Sequence, residues 1–145
     1  MLNIKRLSIE EAEVLVEGAT QKANAMKIPM CIALCDESGH LVRFDRMDGS
    51  KISSISIAID KAFTAATARN GTHVYNQLCV PGQPTFGIHV SNEGHFCVIG
   101  GGLPVRVDGH IVGGIGLSAG TAIQDQECAE AALQYFYEKT GYAAA

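Results

Sequence analysis

Apolar positions along this chain follow two periods, and the places where one gives way to the other divide it into elements. From Ser8 to Lys27, Ile9, Ala12, Leu15, Val16, Ala19, Ala23 and Met26 recur at the three- and four-residue spacing of an amphipathic helix. Ser8 and Glu11 open it as a capping box, which satisfies free N–H groups of the first turn, and Pro29 closes it. Met30 to Cys35 is a short apolar strand, Asp36-Glu37-Ser38-Gly39 supplies turn chemistry, and His40 to Met47 returns as a second strand. Gly49 and Ser50 precede a second helix, with Ile52, Ile55, Ile59, Ala62, Phe63 and Ala66 as its buried stripe and Asn70-Gly71 as its end. Thr72 to Val80 reads as a short helical turn before the irregular Pro81-Gly82-Gln83-Pro84.

Two more hairpins are expected. Phe86–Val90 and His95–Ile99 form one, joined through Ser91-Asn92-Glu93-Gly94. Leu103–Val107 and His110–Ser118 form the other around Asp108-Gly109, a type I′ turn signal. A last helix begins after Thr121 and runs to about Lys139, with Gly141 just past its end. Helix, hairpin, helix, meander, helix predicts an α+β fold. It is one domain over residues 1–145, with a single antiparallel sheet of about five or six strands and helices packed on it.

The last hairpin carries the most unusual pattern. Eight of the twenty-one residues from Gly100 to Gly120 are glycine, yet its apolar residues still alternate. Glycine costs a strand packing and backbone entropy, so this surface must lie very close to something else. Alternation sets Val112, Gly114 and Gly116 on one side and Ile111, Ile115 and Leu117 on the other, with Val105 and Leu103 facing Val112 and Gly114 across the hairpin. The glycine face admits a closely packed helix, a neighbouring subunit or a flat ligand.

Composition narrows the class. A net charge of -4 argues against nucleic acid as a partner, which needs a basic face. No apolar run approaches the ~20 residues of a membrane span. The N-terminus reaches acidic residues without a continuous apolar core, so no secretory signal is expected and the chain reads as cytoplasmic. Five cysteines, odd in number and without CxxC spacing, read as reduced and mostly buried thiols. HExxH, P-loop and GxSxG motifs are missing. Gly113, Gly114 and Gly116 lie inside a strand rather than in a strand-to-helix turn, so they are no dinucleotide loop.

Candidate chemistry is thin and no catalytic set emerges. If Ser91 pairs with His95, Phe86, Ile88, Val90, Phe96 and Val98 share the core face, and His89, Ser91, His95 and Cys97 share the other. His89, His95 and Cys97 then offer imidazole and thiolate to zinc, copper or haem iron, or simply line a polar sheet face. His40, His73 and His110 read as surface or capping residues. Arg46 suits a carboxylate or propionate in bidentate fashion, or pairs with Asp45 or Asp48. Lys61, crowded among Ala58, Ala62 and Ala65, reaches the same cleft or snorkels to water. Gly101 and Gly102, before Pro104, offer backbone N–H groups to an anionic ligand or make a tight turn.

Taken together, Asp36 and Gly39, Arg46-Met47-Asp48-Gly49, Lys61-Ala62 with Thr64-Ala65, Gly101-Gly102 with Pro104, Asp108-Gly109, and Val112-Gly113 through Gly116-Leu117-Ser118 with Asp125 and Ala129 make the chain resemble the GlcG/HbpS-like family. That family also supplies the C-terminal domain of PduO-type corrinoid adenosyltransferases, and OrfY-type members are encoded beside glycerol dehydratase genes. The resemblance implies a profilin-like α/β fold, homo-oligomers, and haem binding in several members, which act as redox or haem sensors or as accessories to cobalamin-dependent diol metabolism. Some PduO-type domains ligate haem through a histidine of the first helix, and Ser8 to Lys27 contains none, so that ligand does not carry over. The expectation is a cytoplasmic, homo-oligomeric haem- or tetrapyrrole-binding accessory or sensor. Alternatives are an accessory enzyme handling a small hydroxy acid or aldehyde, or a scaffold without ligand.

Overall fold

A computed structural model describes residues 1–145. Four strands form one antiparallel sheet: β1 (Cys31–Asp36), β2 (Leu41–Arg46), β3 (Gly102–Val107) and β4 (His110–Ser118), in the order β2-β1-β4-β3. The helices are α1 (Ile9–Met26), α2 (Ser54–Thr67), the short α3 (Thr72–Asn76) and α4 (Ala122–Thr140). The Ser8/Glu11 capping box forms with both of its hydrogen bonds, and Thr121 and Gln124 make a second one at the start of α4. None of the helices is long and apolar enough to cross a membrane.

The sheet separates two unlike layers. Every residue of the central strand β1 is buried. Ile32 and Leu34 point toward α1 and α4, where they join Leu15, Ile115, Leu117 and Phe136, all fully buried. Each such side chain contributes about 1.5–3 kcal/mol by leaving water. Cys31, Ala33 and Cys35 point the other way and pack on Ala58, Ala62 and Ala66 of α2, with Phe44, Ile55 and Ile59 at the margin. This second layer is built of small residues because β4 lies so close. A Cβ on Gly114 would collide with the Ala62 carbonyl, and one on Gly116 with that of Ala58. The glycine face is therefore covered by α2.

That close approach corrects the expected stripe of α2. Its buried residues are Ser54, Ala58, Lys61, Ala62, Thr64, Ala65 and Ala66, while Ile55, Ile59 and Phe63 are pushed to the flanks, half-buried. Ile52 lies before the helix and is exposed. The pairing across the last hairpin is also shifted by one residue. An irregularity between Val105 and Arg106 sets Val105 opposite Gly113 and Leu103 opposite Ile115. Val112, rather than joining the glycine side, enters the core between the sheet and α1/α4. Pro104 is tolerated because β3 is an edge strand.

The largest correction is the strand count. Residues 86–99 form no hairpin; they make two single 3₁₀ turns, Ile88–Val90 and Asn92–Gly94, and then irregular chain. Gly87, Asn92, Glu93 and Gly94 all take left-handed φ values, and the N–H groups of Ile88, Val90, Ser91, Gly94 and His95 bond three residues back. Local turns have consumed the groups that a ladder would need.

Candidate functional site

Because α2 lies so close to the sheet, the lysine in its middle cannot escape to solvent. Lys61 Nζ donates to Asp125 Oδ2 and to the Leu117 carbonyl, both at 2.8 Å, with 1% and 3% of the Lys61 and Asp125 side chains exposed. Asp125 Oδ1 accepts from the Gly120 N–H at 2.9 Å. Charges this deep are tolerable only when paired and hydrogen-bonded, and both partners here are. The pair ties α2 to the start of α4 across β4.

Gly101 and Gly102 belong to this assembly. A Cβ on Gly101 would stand 2.8 Å from Lys61 Nζ and 2.7 Å from the Leu117 oxygen, and one on Gly102 2.5 Å from the Lys61 carbonyl. Gly102 N–H donates to Thr72 Oγ1 at 2.9 Å, and the Gly101 carbonyl accepts from Leu117 N–H at 2.9 Å. The loop before Pro104 is thus closed on the protein's own groups. Lys61, Gly101 and Gly102 come together around Asp125 and not around a surface that a ligand carboxylate can reach.

Arg46 stays apart from them, exposed at the end of β2, and the neighbouring Asp45 pairs with Arg43 at 3.1 Å instead. At the opposite turn, Asp36 Oδ1 accepts from Ser38 N–H, Ser38 Oγ and His40 N–H. Burial raises its pKa, but these bonds outweigh burial and hold the carboxyl below its ordinary range. The hydrogen bonds from Arg6 do the same for Glu37. These acids hold a turn.

Without the second hairpin, His89, His95 and Cys97 do not form one ligand face. His89 Nδ1 lies 3.1 Å from Cys79 Sγ, and His95 Nδ1 lies 2.8 Å from Asp60 Oδ1. Cys97 is half-buried, and burial raises its thiol pKa. No three His, Cys, Asp or Glu side chains converge into a metal-holding group. Asp60 and Cys79 are the residues that sequence reasoning missed. They lie 35 and 10 positions from their partners, and no local spacing signals such contacts.

The His95–Asp60 arrangement has a definite chemistry. An ionised carboxylate only accepts, so Nδ1 carries the proton, and in the neutral form of the ring Nε2 keeps its lone pair. The imidazole side chain is 58% exposed. An oriented imidazole with a free Nε2 is how a metal-ligating histidine is commonly prepared. A separate cleft of about 410 Å³ is lined by His73, Gly100, Ile123 and Gln126 among others, without Lys or Arg, and offers no cation to an anionic ligand.

These features define a three-layer α+β domain whose interior is locked by an ion pair and whose ligand-type nitrogens lie on the surface. The chain belongs to the HbpS-like family, described as "Haem degrading protein HbpS-like", whose profile matches residues 7–134. It is 33% identical to a 15.0 kDa protein of the dhaT-dhaS intergenic region of Citrobacter freundii, over 93% of this chain and 95% of that one. The crystal structure of Klebsiella pneumoniae ORFY superposes with a TM-score of 0.92 at 29% identity, covering 94% of each chain. That of a PduOC:haem complex does so with 0.88 at 26% identity, covering 96% of this chain and 98% of that one.

Proposed function

We propose that this chain is a haem- or tetrapyrrole-binding accessory or sensor protein, with His95 as the axial ligand and Asp60 as the residue that positions it. The observation that carries this reading is the 2.8 Å contact between His95 Nδ1 and Asp60, which leaves Nε2 directed away from its carboxylate partner on an exposed ring. The same irregular segment exposes Phe86, Val90 and Ile99, apolar surface of the kind a porphyrin covers. Arg46 remains an exposed cation suited to a propionate. Lys61 is spent on Asp125 and takes no part. Bound haem would supply a redox-active iron. Likeness to a domain crystallised with haem supports the ligand class. Likeness to corrinoid adenosyltransferases of the PduO kind supports a place near corrinoid chemistry. The proposal includes a cytoplasmic, homo-oligomeric protein serving cobalamin-dependent diol or glycerol metabolism.

Titration of the purified protein with micromolar haemin tests the assignment. A Soret shift is expected, abolished in His95→Ala and weakened about ten-fold or more in Asp60→Asn, the usual cost of losing a carboxylate behind a ligating histidine. No Soret shift in the parent protein would remove the haem reading. A shift that survives His95→Ala unchanged would remove the ligand assignment.

A further inference from the structure

The contact between Cys79 and His89 is used by nothing described so far, and it differs from the environment of every other cysteine. Cys31, Cys35 and Cys128 are buried. Burial pushes the thiols of Cys35 and Cys128 up to about 12, which keeps them protonated and inert. Cys97 is half-buried, and its thiol is raised for the same reason. Cys79 is also half-buried, but its sulfur lies 3.1 Å from the Nδ1 atom of an exposed imidazole.

Two short elements bring them together. Cys79 is anchored behind α3 by its N–H bond to the Tyr75 carbonyl at 2.9 Å. His89 sits in the turn Ile88–Val90, closed by the Val90 N–H bond to Gly87 at 3.1 Å. The loop between is drawn shut by Thr85 Oγ1, which donates to the Leu78 carbonyl at 2.8 Å. A thiol held against a base at hydrogen-bond distance, with solvent beside the base, is the arrangement that generates a thiolate nucleophile.

We propose that Cys79 is a reactive thiol, activated by His89, and a site of modification by soft electrophiles and hydroperoxides. His89 Nδ1 takes the thiol proton. The thiolate attacks a peroxide oxygen, an S–O bond forms as the O–O bond breaks, and the sulfur is oxidised by two electrons while the peroxide is reduced. The departing oxygen takes a proton from the imidazolium and leaves as water or an alcohol, giving Cys79 sulfenic acid. With an alkyl halide the same thiolate forms an S–C bond and halide departs. Neither step involves His95 or bound haem.

The test uses the full chain without haem. Under native conditions at neutral pH, limiting iodoacetamide followed by peptide mass mapping is expected to label Cys79 about ten-fold faster than Cys97. Hydrogen peroxide followed by dimedone should place the sulfenic-acid adduct on Cys79 and on no peptide of Cys79→Ser. His89→Ala, a change at an exposed position, should slow Cys79 alkylation about ten-fold, since a free thiol is only a few per cent thiolate at this pH. Equal rates at Cys79 and Cys97 would overturn the proposal. So would an unchanged or faster Cys79 rate in His89→Ala, because accessibility alone would then explain the labelling. Failure to trap any dimedone adduct would overturn the peroxide chemistry.

Discussion

Two glycine-punctuated, apolar stretches of this chain meet different fates. Residues 102–118 form a ladder, turned by Asp108 and Gly109 at φ +49° and +78° and buried on both faces. Residues 86–99 fold into local turns, and Phe86 and Val90 remain 58% and 70% exposed. The difference lies in what covers them. β4 is central, flanked by β1 and β3, with α2 on one face and α1 and α4 on the other. The 86–99 segment is held chiefly at its end, where Phe96 is buried edge-on against Tyr75 and the Thr64 hydroxyl accepts from Cys97 N–H at 2.8 Å. Alternation becomes a strand when a neighbour supplies the ladder and a layer supplies burial.

The most severe way to break the first stretch is to put a side chain on its glycine face. In Gly116→Val the new Cβ would overlap the Ala58 carbonyl and stand 2.6 Å from the Ala62 nitrogen, both helix backbone. Backbone cannot rotate aside, so α2 must lift from the sheet. The expected loss exceeds about 4 kcal/mol, the range reserved for such overpacking, and leaves little soluble protein. Urea unfolding of whatever is recovered measures it. A parent-like midpoint would show that α2 does not rest on β4.

This contrast also explains what was legible in the sequence. The Ser8 capping box, the start of α4 after Thr121, both outer hairpin turns and the close approach at Gly114 and Gly116 follow from local chemistry, and each is found where the pattern sets it. The one-residue shift at Val105 and Arg106 was not legible, because an irregularity leaves the alternation of each strand intact on paper while moving Val112 to the other layer. Nor was the inward turn of Lys61. Its alanine neighbours announce close packing, but only the fold brings Asp125, 64 positions away, within reach. The pairs His95–Asp60 and Cys79–His89 were hidden for a related reason. An assumed strand period assigned His89 and His95 to a sheet face that does not exist, and nothing in it pointed to Asp60 or Cys79.

The ion pair beneath the hairpin gives the next largest effect. Lys61→Met leaves the Asp125 carboxylate buried with only the Gly120 N–H on its other oxygen. Breaking one side of a buried pair costs about 3–5 kcal/mol. The double variant Lys61→Met/Asp125→Leu, which removes the orphaned charge, is expected to recover most of that loss in the same urea measurement. If the double variant is no more stable than the single one, lost packing of the lysine stem, and not the stranded charge, is the cause.

The smallest effects belong to the second stretch, and they separate a turn from a strand. Gly87 has φ +94° and no atom within 4 Å of where a Cβ would stand, so Gly87→Ala meets no collision, only backbone strain. That strain is about 1–2 kcal/mol for an L-residue held in a left-handed conformation. Phe86→Ser, at a side chain 58% exposed, should move stability by no more than about 0.5 kcal/mol. Were the segment a buried strand, the order would invert: alanine would be accepted at 87, and losing the aromatic ring at 86 would cost several-fold more than this. Thermal or urea midpoints of the two variants side by side decide between the two states, and they do so without reference to any ligand.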